Sequence, residues 1–187
     1  MPKLAELNAL EGAEFTRIVG PVFEHSPWVA ARIAAQRPFS SREALHAALV
    51  ATVRRASDDE KLALIRAHPD LIGDAHLTAA SQAEQASAGL QDATAGEATQ
   101  FREYNRQYRD RFGFPFVICA RLNKKEAIAR AFPVRLRNSR EQEIEIALQV
   151  GRDFEVLQDM HGAVAQNLHH PHLGFAITMT GQFRHCA

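Results

Sequence analysis

His68 stands directly before a proline in the run Ala67-His68-Pro69-Asp70-Leu71-Ile72-Gly73, and further along Ser81-Gln82-Ala83-Glu84-Gln85 gathers a hydroxyl, a carboxylate and two carboxamides. An imidazole that trades a proton near neutral pH, with a carboxylate to orient it and amides to hold polar groups, is what metal-free proton-transfer chemistry needs. A third segment, Phe112-Gly113-Phe114-Pro115-Phe116-Val117-Ile118-Cys119-Ala120-Arg121, is largely apolar. Its side chains suit a core, and its backbone is what it has to offer a ligand.

Each of these residues also has an ordinary structural reading. The residue before a proline is pushed out of the α region, so His68 closes the helix that begins at Ser57. There the negative end of the helix dipole stabilises an imidazolium, which suits an acid; the same place suits a helix cap bonded to the last carbonyls. Asp70 reads as a turn residue. Ser81 and Glu84 have the spacing of a capping box, yet if that helix start faces His68, Glu84 can fix the imidazole tautomer and accept hydrogen bonds from a ligand. Gln85 adds a donor pair and an acceptor, so the trio suits a small, amide-rich ligand. Pro115 at a helix start would leave the following amides open to an anion or a carbonyl. Cys119 has no histidine close in sequence to activate it and reads as packing. Asp58, Asp59 and Glu60 are explained by a helix N-terminus.

The elements that must position these groups are legible as helices. A Ser, Thr or Asn followed three residues later by Glu or Gln occurs at Asn8/Glu11, Ser40/Glu43, Ser57/Glu60, Ser81/Glu84, Thr94/Glu97, Asn123/Glu126 and Ser139/Gln142. Apolar residues follow at helical spacing: Phe15-Ile18-Val19, Leu45-Ala48-Leu49-Val53, Phe101-Tyr104-Tyr108 and Ile144-Leu148. Ser26-Pro27 marks a further start. Stops are expected at Gly20-Pro21, Pro38, Pro69, Gly89, Gly113 and Pro133. Sustained two-residue alternation is absent, so the expected fold is all-α, a single compact domain of about eight helices.

Composition narrows the function classes. With 187 residues, 46% of them hydrophobic and 24% charged, the chain suits one soluble globular domain. Lys+Arg and Asp+Glu balance at 22 each, which disfavours nucleic acid and anionic membranes, although Arg135, Arg137 and Arg140 could form a local basic patch. Two cysteines, Cys119 and Cys186, make no disulfide framework, and the N-terminus lacks the apolar core of a signal peptide. No apolar run approaches the ~20 residues that span a bilayer. A cytoplasmic setting is expected, and Arg184-His185-Cys186-Ala187 is no peroxisomal ending. The histidine cluster His169-His170-Pro171-His172 breaks the helical rhythm and reads as tail; finger-type ligand spacings are missing and no metal is expected.

Taken in order, Phe23-Glu24-His25-Ser26-Pro27-Trp28, His68-Pro69-Asp70-Leu71, Leu77-Thr78 with Ser81 through Leu90, and Arg111 through Cys119 resemble the 2-oxo-4-hydroxy-4-carboxy-5-ureidoimidazoline (OHCU) decarboxylases of urate breakdown. The resemblance runs from about residue 8 to residue 160, so residues 1–160 are expected to form the decarboxylase-like domain and 161–187 a divergent tail. It implies an all-helical homodimer that converts OHCU to (S)-allantoin and carbon dioxide without cofactor or metal. It places the catalytic histidine, a proton donor, at His68 and its supporting carboxylate at Glu84. Substrate contacts fall on Pro69, on Ser81, Gln82, Ala83, Glu84 and Gln85, and on Phe116, Val117, Ile118, Cys119 and Ala120, the last group through backbone. Three departures stand out: Ile72, where the family tends to have a small residue; Asp74, where it often has a basic one; and Gln158, where it commonly has an arginine. Glutamine cannot offer a carboxylate a charged fork, though Arg121 or Arg152 could substitute. Two other classes therefore remain: a ureide-binding helical protein that has lost turnover, and a metal-dependent hydrolase using His25, His68, His76 and the tail histidines.

Overall fold

The computed structural model describes residues 3–23, 25–73, 77 and 79–149, without the side chains of Ala79, Ala80 and Arg121. Asp74, His76, Thr78, Arg152, Gln158 and the proposed tail lie outside it. Nine α-helices occur among the described residues and no strand: α1 (Leu4–Ala9), α2 (Gly12–Val19), α3 (Trp28–Ile33), α4 (Arg42–Arg55), α5 (Asp58–Arg66), α6 (Ala79–Ser87), α7 (Ala95–Phe112), α8 (Lys125–Arg135) and α9 (Arg140–Gln149). The all-α expectation holds, with one helix more than anticipated.

Local chemistry explains most boundaries. The Ser57 and Thr94 side chains accept the Glu60 and Glu97 amides while each Glu bonds back to the cap amide, closing the boxes that start α5 and α7. Ser139 and Gln142 do the same before α9. Gly113 ends α7 at φ +80° and Gly89 sits at φ +76° after α6, the left-handed conformation glycine adopts without strain.

Five expected starts and stops outside α6 need correction. Asn8 lies inside α1, where its side chain pairs with both backbone groups of Phe39 rather than capping. Ser41, not Ser40, caps α4. Asn123 donates to the Cys119 carbonyl, and α8 starts after Lys124. Pro133 does not stop α8, which runs on to Arg135; it sits on the exposed side close to the helix end. Pro115 opens no helix, because residues 115–119 run irregularly before a single 3-10 turn at Ala120–Leu122.

The core is one continuous cluster with two differently built ends. Toward the N-terminus, α2 packs on α3 and α3 on α4, burying Phe15, Ile18, Val19, Val29, Ile33, Leu45 and Leu49. Toward the C-terminus, α7 packs against α8 and α9 around an aromatic cluster in which Phe116 stacks on Phe132 with ring centroids 3.9 Å apart and Tyr108 meets Phe112, Phe114 and Phe116. Each such ring contributes about 1.5–3 kcal/mol by leaving water. Helix α6 lies across the 120–122 turn and is pinned at its end, where Lys125 donates its amide to the Ala88 carbonyl and the Lys124 ammonium reaches the Ser87 carbonyl, both at 3.0 Å.

Candidate active site

Helix α6 carries an unusual buried face. Ser81, Glu84, Gln85 and Ala88 follow the i, i+3, i+4, i+7 spacing that normally holds apolar residues, and all four are buried, Glu84 to 4% exposure. Ser81 is not the helix cap expected from its spacing to Glu84: α6 begins at Ala79, so both residues lie within the helix on its inward side. Gln82 and Ala83, about 100° and 200° further round, project from the exposed face. Burying a carboxylate, a carboxamide and a hydroxyl together is costly unless other groups meet them. The other groups come from the two remaining segments.

The loop after His68 meets α6 through Gln85. Its carbonyl oxygen accepts the Ile72 amide at 3.1 Å, and its Nε2 donates to the Asp70 carbonyl at 3.3 Å. Gln85 therefore fastens the loop with both ends of its amide. From α7, Asn105 donates to the Leu71 carbonyl at 2.7 Å, and Arg109 Nε donates to both carboxylate oxygens of Asp70 at 3.0 and 2.9 Å. Asp70 is thus an ion-pair partner as well as part of the turn. The loop also stores strain, since Ile72 sits at φ +53°, a region branched L-residues avoid.

His68 follows the last turn of α5 and is half-buried with Pro69. Its Nδ1 lies 3.0 Å from the Leu64 carbonyl and 3.2 Å from that of Ile65. A carbonyl only accepts, so Nδ1 carries the hydrogen. The cap reading and the acid reading are therefore compatible, because the cap sets the tautomer.

The third segment closes the group. The Cys119 thiol faces Glu84 Oε1 at 3.9 Å, bringing residues 115–119 alongside α6. Arg66 Nε donates to the Gly113 carbonyl at 3.0 Å, tying the start of that segment to the end of α5 beside His68. Phe116, Val117, Cys119 and Ala120 are buried, and Ile118 is half-buried. The amides of Phe116, Val117 and Ile118 meet no backbone acceptor among the described residues.

Sequence reasoning missed the supports. Asn105 betrays itself as a polar residue within the buried face of Phe101, Tyr108 and Phe112. Arg135, read as part of a basic patch, is only 5% exposed and pairs with the fully buried Glu143. Nothing local in sequence marks Arg66 or Arg109. Among the described residues, no group of three His, Cys, Asp or Glu could hold a metal ion, and no helix is long and apolar enough to cross a membrane.

Known proteins carry the same arrangement of sequence. The family model described as OHCU decarboxylase matches residues 8–153. The chain is 42% identical over 145 residues to the 2-oxo-4-hydroxy-4-carboxy-5-ureidoimidazoline decarboxylase of Haloferax volcanii, a match covering 78% of this chain and 86% of that protein. It is 41% identical over 149 residues to the uric acid degradation bifunctional protein of Bacillus sp. (strain TB-90), covering 80% of this chain but 30% of that longer one. The crystal structure of (S)-allantoin synthase superposes with a TM-score of 0.66 at 27% identity, over 89% of this chain and 53% of that one. With a match across most of its length, this chain belongs to the OHCU decarboxylase family.

Proposed function

We propose that this protein decarboxylates OHCU to (S)-allantoin in urate degradation. The observation that carries the reading is the buried polar face of α6, with Glu84 beside Cys119 and Gln85 holding the loop that follows His68. The chemistry needs no electron sink from outside the substrate. When the bond to the carboxylate breaks, its electron pair passes into the adjoining unsaturated ring, and carbon dioxide departs. The stereocentre forms when a proton reaches the ureido-bearing ring carbon from one face. The protein's task is to orient the carboxylate, to steady the developing enolate with fixed donors, and to deliver that proton.

In this reading His68 is the proton donor through Nε2, its other nitrogen being committed to the Leu64 and Ile65 carbonyls. Glu84 supports it and receives N–H groups of the substrate. Pro69 and Ser81 border the substrate, and residues 116–120 contribute backbone amides and carbonyls. Gln82 and Ala83 take part only through the α6 backbone, since their side chains face outward. Gln85 acts chiefly by holding the loop. We further propose that the protein works as a homodimer in the cytoplasm, without metal or organic cofactor, as the family resemblance implies.

The test is circular dichroism of the allantoin formed when metal-stripped protein meets freshly generated OHCU, beside a buffer control. One enantiomer should appear far faster than the spontaneous racemic product. His68→Ala should abolish that acceleration while the helical signal stays intact; a fully active variant would remove His68 from the chemistry. Racemic product at the spontaneous rate from the unaltered chain would instead favour a ureide-binding protein.

A further inference from the structure

Residues 115–119 are buried, Ile118 in part, but belong to no sheet and no helix, so something else must set the rotation of their peptide planes. Arg135, in the last turn of α8, does so. Its Nη1 donates to the Val117 carbonyl at 2.6 Å, and its guanidinium lies 4.3 Å from the centre of the Phe116 ring. Its Nε and Nη2 donate to Glu143 Oε2 at 2.9 and 2.6 Å. Glu143, from α9, also accepts the Tyr108 hydroxyl and, on Oε1, Asn138 Nδ2 at 2.6 Å. Arg135 Nη2 also donates to the Tyr108 hydroxyl at 3.3 Å, so the guanidinium is held in one orientation by α7, α9 and residues 116–117.

Stability alone is a poor reason for this arrangement. Replacing a buried ion pair by apolar groups of similar volume is often neutral or stabilising, because desolvation offsets the attraction. The consequence for the backbone is more specific. The Val117 carbonyl and the Ile118 amide belong to one planar trans peptide unit and point in opposite directions. With the carbonyl drawn to Arg135, the Ile118 N–H is turned to the other side, where no described backbone group accepts it. One residue on, Cys119 touches Glu84.

We propose that Arg135, clamped by Glu143, is a positioning residue that fixes the 117–118 peptide so that the Ile118 N–H is presented to a carbonyl oxygen of the bound ureide. Arg135 does not itself touch substrate. It governs which way round the ureide sits, and through that the face that receives the proton. The identity of the ligand rests on the decarboxylase reading; the orientation of the peptide does not.

Two variants and one titration test this. Arg135→Lys keeps a positive charge beside Glu143 but replaces the planar fork with a single ammonium. Leu49→Ala destabilises the buried face of α4 and leaves every bond of Arg135 and Glu143 in place. Arg135→Lys should raise KM about tenfold, roughly what losing one well-placed hydrogen bond entails. It should also erode the enantiomeric excess of the allantoin, while Leu49→Ala retains both properties despite a lower Tm. Equal losses in both variants, or unchanged values in Arg135→Lys, would overturn the proposal. Separately, the Ile118 amide of the unaltered protein, followed by proton–nitrogen NMR, should shift with (S)-allantoin more than with (R)-allantoin. That titration needs no variant and no turnover. It tests the Ile118 contact that the proposal requires even if Arg135→Lys does not fold, and it is read separately from the consumption of OHCU. An Ile118 amide that responds to neither enantiomer overturns the positioning role, whether or not OHCU is consumed.

Discussion

A histidine can be both a helix cap and an acid only if its two nitrogens have separate duties, and His68 meets that condition through the Leu64 and Ile65 carbonyls. Among the described residues of the loop that follows, Ile72 is the strained one. A left-handed conformation costs a branched L-residue about 1–2 kcal/mol, which glycine does not incur. Ile72 is also half-buried against the core, so truncating it loses packing. The two effects oppose each other, and Ile72→Gly is expected to change stability by less than about 1 kcal/mol. The same replacement at Ile144, half-buried within α9, should cost about 3 kcal/mol or more, because a helical glycine and a lost side chain both destabilise. Urea unfolding of the two variants makes the comparison, and equal losses would mean that the Ile72 backbone is unstrained.

At the scale of elements, α5 and α7 each begin at a capping box whose glutamate is held well below the ordinary carboxylate value of 4.5, at about 2. For Glu60 the main cause is the hydrogen bond from Arg32, followed by the Ser57 amide; for Glu97 it is the Thr94 amide, then Lys125. Both folded values lie below the unfolded one. Their stabilisation is therefore complete above pH 4.5 and drains away as the pH falls toward about 2, because the unfolded chain takes up protons first. Glu60→Gln with Glu97→Gln keeps the boxes but removes the titration. The doubly substituted protein should show a shallower fall of Tm across that window, and parallel curves would assign the acid sensitivity elsewhere. Sequence reading found these two boxes and the one at Ser139, because a cap is a local motif, but the same spacing misled at Asn8, Ser40 and Asn123. Ser81 and Glu84 show why local reading has a limit: the same spacing occurs inside a helix, and only the surrounding fold reveals that the pair faces inward. Pro133 shows another, since a proline near a helix end on the exposed side is tolerated. Arg135 and Glu143 were illegible because their partners, Tyr108 and Val117, are remote in sequence.

For the whole molecule, the proposed site lies where three distant stretches of chain meet, and each is tied by a different bond. Gln85 joins α6 to the loop after His68, the Glu84–Cys119 contact joins α6 to residues 115–119, and Arg66 joins the end of α5 to Gly113. Helices α7, α8 and α9 stand behind them through Asn105, Arg109, Arg135 and Glu143. All of these ties lie within residues 66–143, and the family match ends at residue 153. We therefore expect a chain ended after residue 160, which keeps Gln158, to fold and to form (S)-allantoin at a rate close to that of the full chain. Enantioselective turnover and helical circular dichroism, measured side by side on the two chains, check this. A shortened chain that keeps its helical signal but yields racemic allantoin would place a contribution to the site within residues 161–187. A shortened chain that loses both would make the two parts one folding unit, against the division proposed from sequence.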